Sequence, residues 1–307
     1  MPRVIQTQGI RSVVDVGALG AFQQALSMFE PQDLFNELGT TISTNRAEAR
    51  IPFLWYPPRT REWVGERQRG SLDGGMHIIP VRTWESTVAV PRTAVEDDMV
   101  GLIEQRVRDL AAEYVRFQHE QFINVLANGT ALNTFDGQPL LTSNPAVRGA
   151  NNVNLTTAAL SMTALQDAIA AMGLFTDPDN RPIGLRPTHL LVGPRLEFTA
   201  RQLTESQTIV AAGTSDRVLG SANTLYNTVQ VAVSPYINDN DWYLIAAGSN
   251  AHRPVIRVER NDVPLEFTAR TSPDHESVYS YDSYEYGYRA RLGFGAGAWY
   301  AVYASQT

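Results

Sequence analysis

The hydrophobic positions of this 307-residue chain change period several times, and each change marks an element. The longest regular stretch opens at Thr93. There Thr93-Ala94-Val95-Glu96 has the form of a capping box, and Glu96, Asp97 and Asp98 put negative charge on the positive end of a helix dipole. Apolar residues then recur at Ile103, Val107, Leu110, Tyr114 and Phe117 and continue through Phe122, Val125 and Leu126 to a stop at Asn128-Gly129. Roughly 35 residues at 1.5 Å each predict a rod of about 50 Å, a spine rather than an ordinary globular helix.

Upstream the period is that of strands. Ile51, Phe53, Leu54 and Trp55 precede a charged, glycine-rich stretch, and Ile78, Ile79, Val81 and Trp84 to Val90 follow it, which predicts a long β-ribbon over Ile51–Pro91. The stretch from Glu66 to Gly75 reads as its tip. A two-stranded ribbon is marginal alone in water, so it packs against a neighbouring molecule or against a sheet of its own chain. Residues 1–30 hold scattered apolar positions (Val13, Val14, Val16, Leu19, Phe22, Leu26, Met28, Phe29) without a sustained period, the pattern of an arm lying on something larger. A short helix is expected at Asp33–Leu38, ended by Gly39.

Downstream, the loop Phe135-Asp136-Gly137-Gln138-Pro139 precedes a helix predicted over Thr157–Met172, with Leu165, Ala168, Ile169 and Met172 on one face. Thr188–Val192 reads as a short buried strand, Gly193-Pro194 as a turn, and Pro194 as the first position of a helix reaching Leu203. Strands are then expected at Val229–Val233, Trp242–Ala247, Pro254–Glu259, Leu265–Arg270, Tyr279–Arg291 and Ala298–Ala304. No internal repeat is visible, and one spine helix, one ribbon and a mixed body make an α+β protein.

Composition removes several function classes. The chain is 43% apolar and 19% charged, ordinary for a folded protein. It has no cysteine, so disulfides, thiolate nucleophiles and cysteine-ligated zinc are excluded. All 25 basic residues are arginine, which excludes Schiff-base lysines and lysine crosslinks. A net charge of −7 argues against a protein that wraps nucleic acid with a dominant basic face. Residues 1–26 lack the unbroken apolar core of a secretory signal, and no run approaches the roughly 18 apolar residues needed to cross a bilayer. Synthesis in the cytosol, with no membrane partner, is the expectation.

Candidate chemistry is sparse. The histidines at 77, 119, 189, 252 and 275 form no metal-binding spacing, and the common hydrolase, Walker-loop and dinucleotide motifs are absent. Glu96, Asp97 and Asp98 have the carboxylate density of a cation site, but acids in a first helical turn serve the helix dipole and its free amides. Tyr279, Tyr281, Tyr284, Tyr286 and Tyr288 offer an aromatic run that on a β-surface would stack sugars or bases, while tyrosine also simply favours strands. His189 has no second ligand nearby in sequence. No catalytic residue, cofactor or metal is predicted. The run Arg59-Thr60-Arg61-Glu62-Trp63-Val64-Gly65-Glu66-Arg67 is different, because mixed charge around a tryptophan on a projecting ribbon is the composition of a protein interface. Arg59, Arg61, Glu62, Trp63, Glu66, Arg67, Arg69, Asp73 and Trp84 are the predicted subunit-interface residues.

Three segments in this order and spacing, Arg61 to Arg67, Trp84 to Arg92 and Val95 to Asp98, resemble the Mu-like phage major head subunit family. Phe135 to Pro139, Pro187 to Pro194, and Tyr286 to Arg291 through Trp299 and Tyr303 are similar to it as well. Leu140, Leu141 and Asn144-Pro145 stand where family members typically carry an aromatic and a His-Pro. The resemblance implies an HK97-like coat fold, with residues 1–50 as an N-terminal arm and 51–92 as an extended loop. Residues 93–155 and 271–307 would form a peripheral domain, and 156–270 an axial domain. It also implies pentamers and hexamers of the chain itself, closing an icosahedral virion head around double-stranded DNA held without specific binding. A scaffold or protease, a portal and a decoration protein are the further partners it implies, with assembly in the host cytoplasm. Without lysine or cysteine, covalent linking of shell subunits through those side chains cannot operate here. Two rival readings are a nanocompartment shell of the same fold enclosing enzymes, and a carbohydrate-binding or hydrolytic β-protein using the tyrosine run.

Overall fold

A computed structural model describes residues 5–6, 13–29, 34–54, 74–96, 100–210, 220–248 and 253–306. In chain order these hold β1 (Ile5–Gln6), α1 (Val13–Phe29), α2 (Leu34–Leu38), β2 (Thr40–Thr44), β3 (Glu48–Leu54), β4 (Gly74–Pro80), β5 (Arg82–Pro91), α3 (Arg92–Glu96) and α4 (Val100–Ala127). There follow α5 (Pro145–Arg148), β6 (Leu155–Thr156), α6 (Met162–Leu174), β7 (His189–Val192), α7 (Glu197–Glu205), β8 (Thr208–Val210), β9 (Gly220–Ala222), β10 (Gln230–Val233) and β11 (Trp242–Ile245). The C-terminal part adds β12 (Val255–Arg260), β13 (Glu266–Arg270), α8 (Glu276–Tyr281), β14 (Ser283–Ala296) and β15 (Val302–Ser305).

One sheet is built around β14. On one side β14 pairs antiparallel with β5 through Ser283↔Pro91 to Leu292↔Arg82; on the other it pairs with β13 and then β12, and β1 and β2 complete the edges. Helices α1 and α4 cover its inner face. The even-numbered positions of β14 point inward, so Tyr286, Tyr288, Ala290 and Leu292 meet Phe22 of α1 and Val107, Leu110 and Tyr114 of α4. Phe22 packs with its ring tilted against Phe267 at 5.0 Å and Tyr114 stands edge-on to Tyr288 at 5.3 Å. The 28 residues of α4 span about 42 Å, the predicted spine.

A second sheet has the order β10-β7-β11-β15-β6. Its strands β7 and β11 are buried along their whole length, in line with the buried strand expected at Thr188–Val192 and the strand expected at Trp242–Ala247. The two sheets share a boundary: Phe35 and Phe122 meet edge-on at 5.8 Å, and Val255 and Ala296 from the first sheet enter the core of the second.

Several expected boundaries shift. Residues 13–29 form a full helix, although no sustained period was predicted there. Its buried stripe, Ala18, Leu19, Ala21, Phe22, Ala25 and Leu26, has helical spacing, but alanines carry little hydropathic contrast. Of the ribbon predicted over Ile51–Pro91, the described residues pair as two strands in β3 and β4, while Arg82–Pro91 instead joins the chain's own sheet. Where the spine was expected from Thr93, the described residues hold a short helix α3 from Arg92 and the long helix α4 from Val100; residues 97–99 lie outside the described residues. The helix predicted from Thr157 starts at Met162, because the Ser161 hydroxyl caps it by accepting from Ala164 N–H. Pro194–Leu196 forms a turn closed by Leu196 N–H to Gly193 C=O, so the next helix begins at Glu197. Tyr279 and Tyr281 lie in α8 rather than a strand; Asp282 in the left-handed region, at φ 47°, separates that helix from β14. Strand pairing also crosses the expected domain limits, since β12 and β13 belong to the sheet of the spine helix and Val302–Ser305 to the second sheet.

A fully buried amide joins distant parts of the second core. Asn154 accepts from Thr142 N–H and donates to the carbonyls of Leu140 at 2.8 Å and Trp299 at 3.0 Å. Replacing it by alanine strands these backbone groups, so Asn154→Ala is expected to cost about 3 kcal/mol in a denaturant titration. An unchanged midpoint would show that the clamp contributes nothing to stability.

Candidate assembly surface

The β3–β4 ribbon leaves the body over a saddle of glycines. Its strands run antiparallel from Glu48↔Pro80 to Leu54↔Gly74, so Ala49, Ile51, His77 and Ile79 share the inner face and Arg50, Pro52, Met76 and Ile78 the outer. Ile79, only 1% exposed, lies across β14 at Gly293 and Gly295. A Cβ on Gly295 would come within 2.8 Å of the Ile79 side chain, and one on Gly293 within 2.4 Å of the Pro80 carbonyl. At the start of β4, Gly75 approaches the Phe135 carbonyl so closely that a Cβ there would stand 2.4 Å from it. Three glycines thus let the ribbon lie down on its own sheet.

The outer face carries exposed apolar side chains beside an ion pair. Met76 is 62% and Ile78 48% exposed, and Arg50 beside them forms an ion pair with Glu48 at 2.6 Å. The Val81 N–H to Ala47 C=O bond fixes the phase of the ladder, which turns the backbone groups of Met76 and Ile78 to the free edge of β4. On the opposite edge Pro52 has no N–H to offer, which blunts that edge against pairing.

Beneath the ribbon lie two clefts of about 490 and 270 Å³ that both include His77 in their walls. The larger runs between β4, β14 and the last turns of α4; the smaller lies toward β2 and β12. Burial holds the His77 pKa below its ordinary value, against the opposing pull of the Ala296 carbonyl and of Asp136. Its Nε2 is buried and, among the described residues, has no hydrogen-bond partner.

The turn that meets Gly75 is braced by a nearly buried ion pair. Arg148 donates to both oxygens of Asp136, at 2.8 and 3.1 Å, and to Thr134 Oγ1, while Gly137 supplies the positive φ of 74° that the turn requires. The Arg148 guanidinium lies 4.7 Å over the Trp299 ring. Burial raises the Asp136 pKa, but the hydrogen bonds from Arg148 and Thr134 outweigh it and leave the carboxyl below its usual range.

Of the predicted interface residues, Arg59, Arg61, Glu62, Trp63, Glu66, Arg67, Arg69 and Asp73 lie outside the described residues. Trp84 is described, and its ring packs at 4.6 Å on Phe117 of the spine while its indole N–H donates to the Leu292 carbonyl. Glu96 ends α3, and Asp97 and Asp98 lie outside the described residues. His189 Nε2 lies 2.8 Å from Glu37 Oε1, and its Nδ1 2.8 Å from Thr188 Oγ1, so it is a partnered, buried side chain. The tyrosine run divides: Tyr286 and Tyr288 enter the core, whereas Tyr279 and Tyr281 are surface residues of α8. It forms no continuous aromatic β-surface for stacking sugars. Among the described residues no three His, Asp or Glu side chains gather as a metal site, and no helix is long and apolar enough to cross a membrane. Sequence reasoning missed the outer strip of Met76 and Ile78; the alternation from Met76 to Pro80, with apolar residues on both faces, was its only signal.

Two outcomes follow from these contacts. Gly295→Val drives a branched side chain into Ile79 at an overpacking cost of about 1–3 kcal/mol, so tryptic cleavage at Arg50 should rise roughly tenfold with the far-ultraviolet spectrum unchanged. Unaltered cleavage would mean that the saddle does not hold the ribbon. Because the folded Asp136 pKa is depressed, its pair with Arg148 stabilises fully above the ordinary carboxylate range and is lost as pH falls through the lowered value. Asp136→Asn should cost about 3 kcal/mol at neutral pH and flatten the acid limb of the stability curve; parallel limbs for the two proteins would remove Asp136 as its source.

A family profile described as phage capsid protein matches residues 78–305. Among curated proteins, the Mu-like prophage FluMu major head subunit of Haemophilus influenzae is 25% identical over 104 residues, covering 34% of this chain and 34% of that protein. The chain therefore spans about a third of the length of the curated relatives it matches. Among solved structures, a chain of the procapsid of bacteriophage JBD30 superimposes with a TM-score of 0.52 at 20% identity, covering 97% of this chain and 76% of that one. The JBD30 capsid decorated with minor capsid protein trimers gives 0.51 at 19% identity, covering 66% of this chain and 90% of that one. These likenesses establish the fold as the α+β, HK97-like coat architecture. The sequence match runs from the second strand of the ribbon through both sheets to β15, and on that ground the chain belongs to the phage capsid protein family.

Proposed function

We propose that this chain is the major coat subunit of a tailed bacteriophage head, assembling as pentamers and hexamers into an icosahedral shell around double-stranded DNA. The observation that carries the reading is the family match over residues 78–305, on a fold whose ribbon turns exposed apolar side chains and an open strand edge outward. In this reading residues 1–50 form the arm and the β3–β4 ribbon the extended loop. Residues 93–155 and 271–307 form the peripheral domain and 156–270 the axial domain, except that β12 and β13 belong with the former and β15 with the latter.

The ribbon run is the anchor between subunits: Trp63 fills a site on a neighbour, and Arg59, Arg61, Glu62, Glu66, Arg67, Arg69 and Asp73 form its polar rim. Trp84 contributes by fixing β5 to the spine. Because the chain has neither lysine nor cysteine, shell strength comes from interface area and from partners that cement the lattice. A decoration protein is the favoured partner of this kind, supported by the decorated JBD30 capsid; a scaffold or protease and a portal complete the set. Assembly takes place in the host cytoplasm and the product is the virion head.

Negative-stain microscopy with light scattering on the chain, alone and with a candidate scaffold, is expected to show shells, capsomers or tubes. Nucleic acid within the particles separates a phage head from an enzyme-filled compartment. Trp63→Ala and a deletion of residues 66–75 should each lower the yield of shells while leaving the subunit's circular dichroism intact. Normal shells of unchanged stability from both variants would refute the role given to the ribbon.

A further inference from the structure

Helix α8 and its flanks form a surface unlike the rest of the molecule. Tyr279 is 88% and Tyr281 76% exposed, among the most exposed large side chains of the described surface. Around them stand Asp274, Glu276 and Asp282, all exposed and, among the described residues, without an ion pair. No arginine occurs between Arg270 and Arg289. Carboxylates elsewhere on the same sheet are answered within the chain: Glu285 by Arg270 at 3.6 Å and Glu266 by Arg289 at 3.5 Å.

The patch is also held rigidly. Val278, 6% exposed, and Ser277, 8% exposed, pin α8 to the body, the His275 carbonyl accepts from both Val278 and Tyr279 N–H, and Arg92 N–H bonds the Asp282 carbonyl. Two tyrosines on a fixed support present on the order of 300 Å² of amphipathic surface at little entropic cost.

We propose that this tyrosine and carboxylate patch is the seat on which a second copy of the chain lays the arginine and tryptophan run of its ribbon, residues 59–69. The inference rests on the coat reading and names the receiving surface. Charge complementarity selects the occupant: residues 59–69 carry Arg59, Arg61, Arg67 and Arg69 against Glu62 and Glu66, a net surplus of positive charge that meets the exposed carboxylates of Asp274, Glu276 and Asp282, with Arg92 at the rim beside Asp282. Guanidinium groups bond carboxylates in a bidentate fork and stack on tyrosine faces, so one patch satisfies both halves of the arginine. Position fits a contact between copies. The patch adjoins the first residue of β14 and the ribbon saddle its Gly293, ten residues and about 33 Å further along the strand. A patch at one end of β14 and a ribbon that crosses the same strand near the other suit a head-to-tail contact between copies, which propagates into rings and shells.

The test uses the full-length chain under conditions where the unaltered protein forms particles. Asp274→Arg with Glu276→Arg should reduce particle yield at least tenfold with the thermal midpoint of the subunit unchanged. Adding Arg67→Glu and Arg69→Glu in the same chain should restore much of it. Since the chain has no cysteine, equimolar Trp63→Cys and Tyr281→Cys chains assembled together should yield a disulfide-linked dimer that neither gives alone. Particles unaffected by the acid reversals overturn the patch. Loss without restoration, and no mixed disulfide, overturns the arginine run as its occupant. An unaltered chain that stays monomeric even with a scaffold overturns the coat reading and this inference with it.

Discussion

The fold depends on what a single strand carries on its two faces. β14 runs fourteen residues, long enough to pair with three other strands, and its inward positions place Tyr286, Tyr288 and Leu292 against the two helices. Near its far end the outward side chains vanish at Gly293 and Gly295, so the ribbon can lie across it through Ile79. The same strand thus builds the core by side-chain volume and seats the projecting element by its absence. A two-stranded ribbon gains too little on its own to stay in place, and the Ile79 contact over the glycines, with Val81 and Val258, supplies the missing apolar burial.

The sequence disclosed elements wherever hydrophobic contrast was strong. The spine was legible because Val107, Leu110 and Tyr114 are large residues repeating against a charged background. Helix α1 was not, because half of its buried stripe is alanine. Strands β7 and β11 were legible as short strands, but their place in one sheet with β15, which begins 57 residues after β11 ends and 110 after β7 ends, is a long-range pairing that no local pattern carries. The tyrosines show the limit most clearly. Tyr279 to Tyr288 share one local composition, and only Asp282 in a left-handed conformation divides surface residues from core residues. The interface candidates on residues 59–73 were read from composition, which marks a surface for recognition without saying what it meets.

Buried polar groups set the register between distant segments. The Asn154 amide bonds carbonyls of residues 140 and 299, and the Arg148 and Asp136 pair holds the turn that abuts Gly75. Such groups add little net stability compared with apolar packing, yet leaving any one unpaired is costly. They therefore act against misplacement. That matters here, because the ribbon is braced at one end by β14 and at the other by the Asp136 turn, and its direction is fixed by the two together.

In the proposed reading, a shell made from this subunit would draw its strength from many modest contacts. With no lysine and no cysteine, arginine carries all the positive charge, and arginine is the cation best suited to stacking and to bidentate pairing at an interface that excludes water. Each contact at a polar rim is worth only about 0–1 kcal/mol, because exposed ion pairs are screened. Once several neighbours hold a subunit, however, breaking one contact leaves its partner at a high effective concentration, so it re-forms before the others fail. Weak, reversible contacts also permit a misplaced subunit to leave during assembly, and the closed lattice then gains a persistence that no single interface has.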